Sequence, residues 1–558
     1  MRISRLVAIS LAIPFLAISC AKPAETDAQL ATRAGAPLFS GMSAYHRAID
    51  TKDPGAQRYF DQGMMLAFGF NHAEAIRSFR AAQKLDPSCA MCFWGEALAT
   101  GPNINVTAKG KAIMSPADQE AAYAALEKAK AVSAGKPEVE RDLIDALATR
   151  YAAQPVEDRT ALDNAYATAL GELSKKYPAD DDIAAMYSEA WMNTMPWNYW
   201  SDSTTPRPEI VPVIAALETI IARNEKHPLA LHLYIHAMEA SATPEKAEKA
   251  SDTLLTLAPG SGHLVHMPAH IYWRVGRYND AAKANIEAAK VDEDYIAQCN
   301  AQGFYPAMYY PHNIHFLWAA SSMQGQSAVS IEAARKVAAN VRLEQIEQFP
   351  TVEFFHTIPL LSLVQFGKWD EILAEPQPRE DLAFSNAIWH YARGVAYANK
   401  GDVKSAKAEQ ALLVPLKAND KVMFLDGNDY PASQLLAIAD NLVLGEIAQA
   451  SGDTKTAVAK FTEAVAGQDA LPYTEPPFWY YPTRQSLGAA LLKAGKPAEA
   501  EAVYRKDLEI YPHNGWSTFG LAQALEAQGK TEEAAMEREH FKTMWQFADI
   551  ELKGSRIQ

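Results

Sequence analysis

After its first 20 residues the chain lacks any uninterrupted apolar run of 18, which excludes a later membrane-spanning helix. It is short of positive charge: 52 lysines and arginines stand against 67 aspartates and glutamates. The formal net charge is −15, and no basic stripe offsets it, so nucleic acid is not the expected partner. β-Branched runs are few and Ala-rich segments recur throughout, so the expected fold is all-α. No P-loop, GxSxG, HExxH or dinucleotide fingerprint occurs, and the chemistries those motifs carry have no support here. Cysteine is scarce, with four in 558 residues. A length of 558 is also too great for one core, and a repeat array or several domains is expected.

The N-terminus reads as a targeting segment. Met1 to Arg5 is short and basic, and Leu6 to Ser19 is apolar but too short for a comfortable span. It ends Leu16-Ala17-Ile18-Ser19-Cys20, which resembles a bacterial lipoprotein box with Cys20 as the lipidated residue, although Ala17 stands where leucine is usual. Residues 1–19 are therefore read as a signal peptide and 20–50 as a flexible tether. The mature protein is expected on the periplasmic side of the cell envelope, held to the membrane through its lipid. A plain secreted protein is the alternative. Cys89-Ala90-Met91-Cys92 is a CxxC, which outside the cytoplasm suits a local disulfide. A thiolate metal ligand, a redox pair or two free thiols are the alternatives. Phe93 stands where haem attachment would need histidine.

Internal periodicity sets the architecture. Tyr59, Gly63, Ala75, Phe79, Ala82 and Pro87 occupy positions 4, 8, 20, 24, 27 and 32 of a 34-residue unit. Gly445, Gly452, Ala457, Phe461 and Ala464 repeat the pattern, and so do Gly488, Gly495, Ala500, Tyr504 and Pro512. This resembles the tetratricopeptide repeat, a helix-turn-helix unit in which small residues let two helices approach and proline ends the second. The reading is a right-handed superhelical solenoid, with a central array over 51–375 and a C-terminal array over 376–558. Between 100 and 227 the small-residue register fades. Helical stretches persist there at about 116–133, 137–153, 160–176, 181–194 and 207–225. Two aromatic insertions, Met195 to Pro208 and Tyr295 to Pro311, are candidate lids or walls of a pocket, or equally surface packing between irregular repeats.

What the chain has in abundance is histidine in one place. Nine of 14 lie between His227 and His356. The glycines and alanines alone set repeat units starting at 228, 262 and near 311. That register puts His232, His236 and Glu239, then His263, His266 and His270, then His312 and His315, on positions that line the concave face in tetratricopeptide repeats. Histidines four apart on a helix can share one metal ion, and adjacent helices can converge on it. The cluster is thus a candidate site for Zn, Cu or Fe, with Glu239 as ligand or catalytic base and Asn313, Tyr234, Tyr309 and Tyr310 as supporting groups. The alternative for each histidine is packing or hydrogen bonding to a peptide. Trp516 and Phe519 fall on groove positions of the last unit, where they suit either a peptide-binding face or a capping helix.

The phrases Phe70-Asn71-His72-Ala73-Glu74-Ala75, Cys89 to Gly95, Gly101-Pro102-Asn103-Ile104-Asn105, His266-Met267-Pro268-Ala269-His270-Ile271-Tyr272 and Tyr310-Pro311-His312-Asn313 lie outside the generic repeat. Through them the chain resembles a family of bacterial exported tetratricopeptide-repeat proteins, which implies fold and export and no activity. Two readings stand. The first is a lipid-anchored scaffold that binds a peptide or protein partner in its groove. The second is a metal-binding protein or metal-dependent enzyme using the histidine cluster.

Overall fold

The computed structural model describes residues 25–108, 110–299 and 304–557; the leader and Cys20 lie outside them. The described chain is helical almost throughout, and its few strands make two small antiparallel hairpins, 107–112 and 200–206. No helix among the described residues is long and apolar enough to cross a membrane. The expected helices between 100 and 227 are present as Pro116–Val132, Glu138–Ala148, Thr160–Lys176, Asp181–Thr194 and Ile210–Arg223.

Small residues explain why the helices stack as repeats. A Cβ on Gly63 would sit 2.7 Å from the Phe79 ring, and one on Gly95 of the next unit 2.3 Å from the same ring. Tyr504 is gripped likewise by Gly488 and Gly520, each leaving 2.3 Å for a methyl. One aromatic ring thus keys two successive first helices, and any larger side chain would force them apart.

The array curls back on itself. Trp516 is fully buried, and its indole N–H donates to the Ser322 carbonyl at 3.0 Å. Asp549 accepts from the Ser327 and Ala328 amides at 2.7 and 2.9 Å. Gly276 and Gly325 adopt left-handed turns and face Pro512 and Trp545, where an added Cβ would clash at 2.3 Å in each case. The last repeats therefore pack against the central ones. Phe519 lies 5.1 Å from Phe541, with the Arg538 guanidinium 4.4 Å over its ring. Trp516 forms this closure, and Phe519 packs on the last helix, Thr531–Met544, as the capping-helix alternative expects.

The segment expected as a tether is also packed. Asp27–Ala34 is a helix capped by Thr26, with Leu30 and Ala34 buried. Farther along, Arg47 pairs with Asp180 and Asp182 at 3.0 and 2.9 Å. Polar, Ala-rich composition suggested a linker, but the few apolar residues fall on one face and the charges find partners.

Two large apolar cores result, one running from Phe60 to Tyr309 and the other from Ala269 to Ala534. They meet at the helices that carry the histidines.

Candidate metal centre

Three helices deliver the cluster. Pro228–Met238 carries His232 and His236, with Glu239 at its C-cap. The second helix is broken by proline: Gly262–His266 carries His263 and His266, and Pro268–Arg274 carries His270. Pro268 cannot donate to the preceding turn, so the chain bends between His266 and His270. The third, Tyr310–Met323, follows a π-helical turn, Tyr305–Tyr309, and carries His312 and His315. Such widened turns occur often at functional sites.

The histidines form two triads. Ligand-capable atoms of His232, His236 and His263 all lie within 4.8 Å of one another, as do those of His266, His270 and His312. The triads adjoin, with the His263 and His266 rings 5.8 Å apart and the His236 and His270 rings 5.7 Å apart. In the second triad His266 Nε2 lies 2.9 Å from His270 Nε2 and 3.1 Å from His312 Nε2. Tetrahedral coordination at about 2.05 Å would place ligand nitrogens roughly 3.3 Å apart.

The opposite edges of the rings are held in place. His232 Nδ1–H donates to the Phe68 carbonyl at 2.6 Å. His266 Nδ1–H donates to Asn285 Oδ1 at 2.6 Å, and that amide is oriented by its own N–H donating to the Ala281 carbonyl. Glu239 takes His236 Nδ1–H on one oxygen at 2.8 Å and His270 Nδ1–H on the other at 2.6 Å. With their Nδ1 protons committed, the neutral rings of His232, His236 and His266 present bare Nε2 lone pairs inward. Among the described residues, His232 Nε2, His236 Nε2 and both nitrogens of His263 have no hydrogen-bond partner. Buried polar atoms without partners are costly, and a cluster of them points to a ligand.

Electrostatics agrees with neutral ligands. Burial and the neighbouring imidazoles hold His232, His263, His266 and His312 well below the usual histidine range. His270 differs: burial pulls it down, but Glu239 and Glu475 outweigh that and raise it to about 10. Burial pushes Glu239 up, yet the His270 charge and the hydrogen bonds from His236 and His270 hold it at about 2. A proton on His270 therefore competes with a metal ion for the space between the rings.

The expected residues do not all assemble. His315 belongs to neither triad; it stacks on Trp318 at 5.3 Å and meets Phe354 edge-on. It shares a helix with His312, but three residues place it around the cylinder, away from His266. Glu239 has its two oxygens engaged by His236 and His270, and with His270 and Glu475 it forms a third group whose ligand-capable atoms lie within 4.8 Å of one another. Asn313 and Tyr305 hold the Asp292 carboxylate at 2.7 and 2.8 Å, and Tyr305 also accepts from the His263 amide. Tyr309 is 4.7 Å from the His263 ring, whereas Tyr234 and Tyr310 bond Glu218 and Glu293 away from the site. His72 bonds the Gly101 carbonyl and His356 the Val341 carbonyl, both outside the cluster.

Sequence reasoning missed Glu475. It lies in the proline-rich loop before Arg484–Lys493, with Oε2 3.3 Å from His270 Nδ1, and burial pushes it up to about 7. It also missed Phe70, whose backbone is left-handed at φ 56° and whose ring lies 4.5 Å from His232 and 5.4 Å from His263. A strained phenylalanine beneath the first triad fits a functional constraint. The triads open onto a cavity of about 730 Å³. Trp197 from one insertion, Tyr309 from the other, and Tyr473 and Glu475 from the C-terminal loop help to wall it. Cys89 and Cys92 are disulfide-bonded at the start of Ala90–Thr100, remote from this site.

A tetratricopeptide-repeat family model matches residues 491–535. No curated protein matches the chain. Among solved structures, the chain is similar to the anaphase-promoting-complex hetero-tetramer Cut9–Hcn1 at 12% identity, covering 90% of this chain and 76% of that one with TM-score 0.29. It is similar to the human IFIT1 dimer with m7Gppp-AAAA at 11% identity, covering 89% and 91% with TM-score 0.30. Yeast Tom70 gives 11% identity, 88% and 92% coverage and TM-score 0.29. The described chain is an all-α array, and residues 491–535 within it match the tetratricopeptide repeat.

Proposed function

We propose that this protein binds two transition-metal ions, one on His232, His236 and His263 and one on His266, His270 and His312, and that the cavity above them admits a small-molecule substrate. One observation carries the reading. Six imidazoles converge as two triads, and four of them, His232, His236, His266 and His270, have the outer nitrogen tied to a fixed acceptor with the other nitrogen turned toward its triad. Uncharged nitrogen donors suit Cu, Zn or Fe and not Mg or Ca. Three protein ligands leave a tetrahedral position open, the layout of a catalytic rather than a structural site. A bound metal would supply Lewis-acid or redox chemistry at that position. The protein's own residues hold the rings, pack Phe70 against the first triad, and place Glu239 as the shared support of both triads.

The cavity falls in the range of small-molecule sites, roughly 300–1,000 Å³, which supports this reading over an extended peptide in the groove. A protein partner then has the outer face of the array available. The leader, Cys20 and the Cys89–Cys92 disulfide support placement outside the cytoplasm, anchored by lipid.

Metal analysis of the purified protein tests the centre. About two equivalents are expected, falling to about one in His232→Ala/His236→Ala and in His266→Ala/His270→Ala. Less than about a tenth of an equivalent, with no thermal shift on adding Zn, Cu or Fe, would sink it.

A further inference from the structure

Trp197 stands out among the walls of the large cavity. It is 42% exposed, although tryptophan is highly buried on average, and its backbone is left-handed at φ 62°. A bulky residue keeps that conformation only where its surroundings enforce it. They do so here. The Trp200 indole N–H donates to the Ala237 carbonyl at 2.8 Å, Tyr199 is buried, and the Ala242 amide donates to the Ser203 carbonyl at 2.6 Å. The Trp197 ring is thereby held 5.2 Å from His236 of the first triad, its plane turned 87° to the imidazole.

Tyr473 answers it from the C-terminal loop beside the second triad. Its hydroxyl donates to Glu475, which approaches His270, yet the residue is 40% exposed and lines the same cavity. Arg274, which does not line the cavity, stands 5.5 Å over the Tyr473 ring. Two large aromatic surfaces are thus left open in one cavity, one next to each triad. Among the described residues the carboxylates lining it are Asp426, Asp429 and Glu475, with no lysine or arginine to receive an anion.

We propose that the cavity takes a flat aromatic ring carrying no acid group, and that Trp197 and Tyr473 are the surfaces that grip it. This rests on the small-molecule reading of the cavity, but the grip comes from the protein's own rings and does not require metal.

Phenol, cyclohexanol and benzenesulfonate are the probes. They share size, and they separate the ring from the hydroxyl and from negative charge; the sulfonate is a poor metal ligand. Each competes with 4-fluorophenol for the full mature chain, read by fluorine-19 NMR, with metal content measured on the same sample. Phenol should bind at least about fivefold tighter than either competitor. Trp197→Asn removes the ring and suits the left-handed backbone, so melting should stay within a few degrees of wild type. It should weaken phenol about three- to tenfold and leave cyclohexanol unchanged, and Tyr473→Leu should do the same. Trp197→Phe should keep most of the preference. Cyclohexanol or benzenesulfonate binding as tightly as phenol overturns the proposal, and so does wild-type phenol affinity in either Trp197→Asn or Tyr473→Leu. Two metal ions with no preference for phenol leave the centre standing without this ligand class. A metal-free sample that still prefers phenol does the reverse. No saturable 4-fluorophenol signal overturns the proposal together with the small-molecule reading of the cavity.

Discussion

Glu239 Oε2 accepts the Nδ1 proton of His270 at 2.6 Å, and the glutamate is fully buried. Its other oxygen serves His236, so one carboxylate orients a ring in each triad. Glu239→Gln keeps the shape but removes the charge and one acceptor. Metal affinity should fall roughly 10–100-fold at both sites, read by competition with a chromophoric chelator. Weakening at one site alone would show that the carboxylate does not serve both.

Gly262 opens the second histidine helix with no room for a side chain. A Cβ there would lie 1.9 Å from Asp292 Oδ1. That carboxylate is tied to Tyr305 and Asn313, next to the His263 amide and beside His312 in sequence. Gly262→Ala should cost about 1–3 kcal/mol through overpacking and lower metal content together with stability. A melting curve and metal content equal to wild type would contradict this role for Asp292.

Asp507 lies far from the site, buried, accepting from Ser517 and Asn514 at 2.5 and 3.2 Å. Burial pushes it up to about 7, against about 3.9 in an unfolded chain. Between those values the folded state holds a proton that the unfolded state releases. Stability from this group is present below about pH 4 and is lost as pH rises toward 7, by about 1 kcal/mol per unit. Asp507→Asn removes that slope. Urea unfolding at pH 5 and pH 7.5 should show a smaller loss in the variant, and equal losses would exclude the assignment.

Metal stabilises the fold if it binds only the folded chain. At free metal about 1,000 times the dissociation constant, the gain is about 4 kcal/mol per ion, and chelation should lower the melting temperature reversibly. Replacing Phe70 with alanine should reduce this gain at the first triad, since its ring packs on His232 and His263. An identical thermal shift in the variant would remove Phe70 from the site.

Much of this was legible in the sequence because periodicity reports which face of a helix a residue occupies. Units starting at 228 and 262 coincide with helices Pro228–Met238 and Gly262–His266, and six of seven predicted histidines fall in the triads. Periodicity says nothing of which elements meet after the array curls. Glu475 comes from a loop without helical period, and Asn285 from another helix, Tyr278–Cys299. Trp516 sat correctly on its helix, but its partner Ser322 lies in another unit. His315 shows the limit on a single helix: a face some 100° wide is broad enough to hold a residue that misses the neighbouring triad.

Most solenoids behave as chains of nearest neighbours, so they can be shortened one unit at a time. Here Trp516 rests on Ser322, and the cavity wall draws on residues from Asn105 to Phe478. Closure turns a linear array into a ring in which removing either end unseats the middle. Glu475 and Tyr473 reach the cavity only when the last-made repeats dock, so a chain still lacking them has no such wall beside His270.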